Sequence, residues 1–102
     1  MTTSPFDAAW LARLGENTLG AQPITVPVFQ YHETQDGLVA FPQAETLRNA
    51  SCSQNVQVTW RTYDTGGATG LIRHINLVYR GNADVNQFIE GRFAGDPGTS
   101  NC

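Results

Sequence analysis

The chain has 102 residues and a mass of 11.1 kDa, with six Arg, no Lys, nine acidic residues and a net charge of −3. That length fits one domain. The absence of lysine excludes a Schiff-base lysine, a phosphate-loop lysine and a polybasic membrane anchor. With a negative net charge and no arginine cluster, no nucleic-acid partner is expected.

Apolar residues make up 40% of the chain, enough for a single core, whereas charged residues make up only 15%, against about 25% in average soluble domains. A polar but weakly charged surface is cheap to desolvate and suits packing against other protein. No apolar run reaches the roughly 18 residues that a membrane helix needs, so no membrane partner is expected. The amino terminus mixes Asp7 and Arg13 among its apolar residues and does not read as a signal peptide. A cytoplasmic protein, or one incorporated into a particle assembled in the cytoplasm, is therefore expected. In that setting Cys52 and Cys102 are expected as free thiols. Asn49, Ala50 and Ser51 form a glycosylation acceptor, which has no meaning without secretion.

In chain order, Ser4, Pro5, Phe6 and Asp7 form a helix start, and Phe6, Trp10 and Leu14 follow at four-residue spacing, so a helix over 4–15 is predicted. From Ile24 the period changes to two, with Pro27 marking an edge or bulged strand. Asp36 and Gly37 are a favoured hairpin-turn pair and predict that residues 38–41 fold back on 31–35. Residues 42–54 fit a helical turn or a short strand equally. The clearest strands are 55–63 and 71–80, joined by the glycine-rich segment 65–70.

Matching their apolar faces sets Val56 opposite Tyr79, Val58 opposite Leu77 and Trp60 opposite Ile75. Arg61 and His74 then share the polar face with Thr59, Tyr63 and Asn76. Beyond Gly81, Asn82 caps a last helix carrying Val85, Phe88 and Ile89. The expected fold is α+β: an N-terminal helix, an antiparallel sheet of about four strands in two hairpins, and a C-terminal helix packed on one face. A single domain over 1–94 and a flexible tail over 95–102 complete the outline.

Three constellations carry chemistry. Arg61, Tyr63, His74 and Asn76 form a ligand-binding candidate, because an arginine beside a histidine binds anions and favours the neutral imidazole that a general base requires. This register places no carboxylate to orient that imidazole, and an ordinary wet strand surface explains the same residues. Asp64, Thr65, Gly66, Gly67 and Thr69 belong to a glycine-rich loop suited to contacts; a phosphate cradle would need a helix after it, where a strand is expected. Tyr31, His32, Glu33 and Asp36 cluster near the first turn, but the histidines lack further ligands at metal spacing, so neither metal nor cofactor is expected. Cys52 reads as a small buried hydrophobe rather than a nucleophile.

The leading functional expectation is a non-enzymatic assembly or interaction protein, an oligomeric structural or accessory subunit with protein partners, for which a phage or virus-like particle is one setting. The alternatives are a small-molecule or nucleotide-binding module or small enzyme using the Arg61 and His74 face, and a small inhibitor of a larger enzyme.

Overall fold

The computed structural model describes residues 7–20, 22 and 24–102. Five elements follow in order: α1 (Ala8–Glu16), β1 (Val28–Glu33), α2 (Phe41–Ser53), β2 (Val58–Tyr63) and α3 (Gly70–Phe93). The α+β class stands, but the antiparallel sheet of four strands in two hairpins does not. β1 and β2 form a two-stranded sheet and run parallel, with Val28 beside Val58 and Glu33 beside Tyr63. Parallel neighbours require a crossover connection, and α2 supplies it.

Neither expected return strand forms: residues 38–40 are a loop leading into α2, and residues 71–80 are helix. Residues 38–41 do not form a hairpin arm, because the Asp36 carboxylate accepts the amides of Leu38 and Val39 at 2.8 and 3.0 Å. That side-chain turn leads into α2, whose first turn holds Pro42, where a missing N–H costs nothing. Residues 71–80 open α3: the Thr69 hydroxyl accepts the Ile72 amide, and one helix of 24 residues runs on through Gly81 and Asn82. The expected pairing of Val56, Val58 and Trp60 with Tyr79, Leu77 and Ile75 is therefore absent. Leu77 and Gly81, four residues apart, are buried together, which is helical spacing rather than strand alternation. Gly81 is needed because a Cβ there would sit 2.8 Å from ring carbons of Tyr31.

Helices cover both faces of the sheet rather than one. On the first face, Gln30 donates to the Ala44 carbonyl, and the Phe41 ring stacks at 5.9 Å from Trp60 and 6.1 Å from His32. On the second, Phe29 meets Phe88 at 5.4 Å, and the Tyr63 hydroxyl donates to Asp84 of α3 at 2.5 Å. Strand residues alternate between these two helices, as the pleat requires. Among the described residues the buried apolar core is small: Ala44, Val56, Val58 and Leu77.

α1 is capped by Asp7, whose carboxylate accepts the Ala9 amide at 2.9 Å; the start expected at Ser4, Pro5 and Phe6 lies outside the described residues. Trp10, Leu11 and Leu14 of α1 are exposed, and among the described residues this helix packs on no other element. The chain exposes 7155 Å² in total, where a compact domain of this mass exposes about 5700 Å². Its radius of gyration is 16.5 Å, against about 13 Å for a compact domain of this length.

Residues 95–102, whose composition reads as a frayed end, lie along the outer edge of β2. The Asn101 amide donates to the Val58 carbonyl at 3.0 Å, and the Asn101 side chain both accepts from the Trp60 amide and donates to the Trp60 carbonyl. Cys102 is bonded to Cys52 of α2, correcting the expectation of free thiols. Spacing alone could not show this, because folding back along β2 is what brings a terminal cysteine to the helix.

The disulfide closes a loop of 50 residues, for which chain entropy predicts about 4 kcal/mol of stabilisation. Reduction, or Cys52→Ser, is expected to lower the urea midpoint by the equivalent of about 2–4 kcal/mol. An unchanged midpoint after thiol titration has confirmed reduction would contradict the pinned tail.

Candidate acid–base site

Parallel pairing sets the carboxyl ends of β1 and β2 side by side, so the loops leaving them, 34–40 and 64–69, meet above the sheet. They meet backbone to backbone. The Gly37 amide donates to the Gly70 carbonyl at 3.3 Å, a Cβ on Gly37 would lie 2.7 Å from the Gly70 Cα, and a Cβ on Gly70 would lie 2.5 Å from the Gly37 Cα. Real Cβ atoms do not approach that closely, so both positions require glycine. This contact brings Asp36, one residue before Gly37, against His74 in the second turn of α3.

The Asp36 carboxylate has one oxygen on each side of this junction. Oδ1 takes the Leu38 and Val39 amides, and Oδ2 lies 2.6 Å from Nδ1 of His74. Burial by itself raises the Asp36 carboxyl, but the Val39 amide, His74 and the Leu38 amide outweigh it and hold the group below its ordinary range. The carboxylate is therefore ionised at neutral pH and can only accept. It follows that Nδ1 of His74 carries the proton, and in the neutral ring Nε2 holds the lone pair. The side chain of Asp36 is fully buried while that of His74 is 36% exposed, and among the described residues Nε2 of His74 has no hydrogen-bond partner. A second imidazole closes the other side: Nε2 of His32 donates to the Val39 carbonyl at 2.7 Å and lies 3.6 Å from Asp36 Oδ2.

Glu33 anchors the neighbouring loop. Fully buried at the end of β1, it accepts the Gln35 amide at 2.8 Å, and its other oxygen accepts the Thr65 amide and hydroxyl at 2.8 and 2.7 Å. Arg73 lies 3.6 Å away and is itself held by Asp64 at 2.5 Å and by the Gly67 carbonyl at 3.0 Å. Burial raises the Glu33 carboxyl, but Thr65, the Gln35 amide and the Arg73 charge together bring it down to about 2. Glu33 thus holds the loop that delivers His74.

The residues singled out from sequence fall in three places. His74 and Asn76 lie on α3, and His74 faces Asp36, not Arg61. Arg61 lies beside Tyr31 on β2 and lines a separate cleft of about 260 Å³ with Phe29, Asp84, Phe88 and Arg92. Tyr63 is committed to Asp84, and burial with that carboxylate raises its hydroxyl to about 12. Asp64, Thr65, Gly66, Gly67 and Thr69 form the loop between β2 and α3, so a helix does follow the glycine-rich segment. Phosphate still has poor purchase there, because the Thr65 amide is taken by Glu33 and the Gly66 amide by Asp64, so two carboxylates already occupy the loop. Among the described residues no group of three or more His, Cys, Asp and Glu side chains is arranged to hold a metal ion.

Asp36 and Glu33 were visible only as members of a polar cluster near a turn. Pro42 in a first helical turn and Thr69 before Gly70 were the signals that could have placed helices after both strands and so brought Asp36 to His74.

Gly70→Ala is expected to separate Asp36 from His74, read as loss of the far-downfield Nδ1 proton resonance of His74 while β1 and β2 amide signals persist. A retained resonance would refute the close-approach argument. Glu33 releases its proton near 4.5 when unfolded and near 2 when folded. Because the unfolded chain binds more protons between those values, this group's stabilisation is fully present above pH 4.5 and is lost as pH falls toward 2. Glu33→Gln is expected to remove that slope from urea midpoints and to cost roughly 1–3 kcal/mol at neutral pH; an unaltered slope would count against the role given to Glu33.

No protein-family model matches this sequence, and neither a characterised protein nor a solved structure is significantly similar to it, so the geometry of Asp36 and His74 carries the functional argument alone.

Proposed function

We propose that this chain supplies the acid–base half of an acyl-transfer hydrolase site, with His74 as general base and Asp36 as the carboxylate that orients it. The observation that carries the proposal is the 2.6 Å contact of a fully buried carboxylate with Nδ1 of an imidazole whose side chain remains 36% exposed. In a Ser-His-Asp triad the carboxylate fixes the tautomer and ring orientation, and the opposite nitrogen takes the nucleophile's proton. Asp36 is placed for the first role and Nε2 of His74 for the second.

Topology supports the same assignment. Asp36 follows β1 and His74 follows β2, at the carboxyl ends of parallel strands where open sheets with helices on both faces bind ligands. Acid before base is also the chain order of α/β-hydrolases, a likeness at the level of fold analogy. No hydroxyl or thiol among the described residues hydrogen-bonds to His74, and both cysteines are in the disulfide. The reading therefore requires a hydroxyl that reaches Nε2 of His74 to serve as the nucleophile. Its oxygen attacks an ester or amide carbonyl as Nε2 accepts the proton; the imidazolium returns that proton to the leaving group, and water repeats the cycle to free the acid.

A second reading, an assembly or interaction protein with protein partners, is favoured by the surface. Leu71, Ile75 and Val78 form an exposed stripe on α3, and Tyr79 and Phe93 are 78% and 90% exposed. Amides at Val28 and Thr34 bond toward β2, so alternation turns the backbone groups of Phe29, Tyr31 and Glu33 to the other edge of β1. An edge strand with free backbone groups is a template for pairing with another chain. The two readings join if the polypeptide covering this surface is the one that brings the nucleophile.

The test is hydrolysis of p-nitrophenyl esters, with fluorophosphonate labelling, by the protein isolated from its own source with its bound polypeptide. Asp36→Asn is expected to reduce turnover by about 10⁴-fold through the wrong tautomer, and His74→Ala by at least about 10³-fold with loss of labelling. Absence of hydrolysis, or hydrolysis that survives His74→Ala, would overturn the hydrolase reading. Stable oligomers or complexes in either case would leave the assembly reading standing by itself.

A further inference from the structure

Disulfides form and persist in oxidising compartments, the lumen of the secretory pathway among them, and are rare in the reducing cytosol. The bond between Cys52 and Cys102 therefore gives meaning to a motif that has none in a cytosolic chain. We infer that Asn49, in the sequence Asn49-Ala50-Ser51, carries an N-linked oligosaccharide.

Three features support it. The motif is the only Asn-X-Ser/Thr acceptor in the chain, and its middle residue is alanine rather than the disallowed proline. Asn49 is exposed on α2. Its Oδ1 accepts from Arg48 at 3.2 Å, while among the described residues Nδ2, the atom that would bear the sugar, makes no hydrogen bond. A glycan there projects into solvent from a surface otherwise poor in charge.

The transfer joins Nδ2 to the anomeric carbon of an oligosaccharide held on a polyprenyl diphosphate. The bond between sugar and diphosphate breaks, the diphosphate leaves with the electron pair, and Nδ2 gives up one proton to the transferase. In the folded protein this acceptor is closed to an enzyme, since Ser51 is buried and the segment is helical. Transfer must then precede folding of α2. The order of synthesis permits that, because Cys102 lies 50 residues after Cys52, so the bond cannot lock this helix until Cys102 has been made.

Peptide mapping of the protein from its own source, after enzymatic release of N-glycans has converted any glycosylated asparagine to aspartate, is expected to show aspartate at position 49 in molecules that also contain the Cys52–Cys102 bond. Expressed through a eukaryotic secretory pathway, the wild-type chain is expected to lose mass on deglycosylation. Asn49→Gln and Ser51→Ala should abolish that shift, Ser51→Thr should keep it, and Cys102→Ser should keep or increase occupancy. Unmodified Asn49 in the native protein would overturn the inference, as would a glycosidase-sensitive shift that survives Asn49→Gln.

Discussion

The pairing of Asp36 with His74 depends on two glycines touching. Gly37 leaves the end of β1 and Gly70 opens α3, and their backbones approach closely enough that a methyl group on either would overlap the other. No side chain can mediate so short a junction. Its effect is to bring a residue on one loop against a residue one helical turn into α3, although they are separated by 38 positions in sequence. The distance from Asp36 to His74 is thus set by backbone packing rather than by two side chains finding each other, and the pair is preorganised in the way a proton-transfer site requires.

The two buried carboxylates at this end of the sheet show how environment divides labour between like groups. Each is buried, each would be pushed toward neutrality by burial alone, and each is held charged by hydrogen bonds from backbone amides. They differ in what else they hold. Glu33 has spent its acceptor sites on Gln35 and Thr65, with Arg73 nearby, so it is a fixed anchor for the loop between β2 and α3. Asp36 keeps one oxygen for an imidazole that reaches solvent. A buried charge with every partner internal stabilises a structure; one whose partner faces outward can pass its influence on to a substrate.

The sequence made the chemistry of His74 legible but not its partner. Histidine on a segment of alternating apolar residues reads as a candidate base, and the element the sequence does not place is a carboxylate to orient it. Leu71, Ile75, Leu77 and Tyr79 satisfy a period of two, but Leu71, Ile75 and Val78 also satisfy a helical period, and only the burial of Leu77 with Gly81 decides between them. Taking that segment as a strand put His74 beside Arg61 and left Asp36 in a distant turn. Asp36 and Gly37 then looked like a hairpin, because that dipeptide suits a tight turn and, equally, a side-chain-capped entry to a helix. β2 is legible because Val56, Val58 and Trp60 alternate with polar residues at a period of two. Its parallel partner is not, since parallel pairing depends on a crossover helix over 41–53, where the apolar pattern is weak. Thiol pairing was illegible for a different reason: it depends on where a tail lies, which composition does not encode.

The exposed apolar surface and the small core are aspects of one fact. A two-stranded parallel sheet with four buried apolar core residues among those described is small for a chain of 102 residues. The apolar residues that a larger core would have consumed stand on α1 and α3 instead. An apolar stripe left in water is unfavourable at about 25 cal/mol per Å², so covering it is favourable, and the edge of β1, unpaired among the described residues, would give any covering polypeptide a direction as well as a surface. That edge runs toward Glu33 and the loop that holds Asp36.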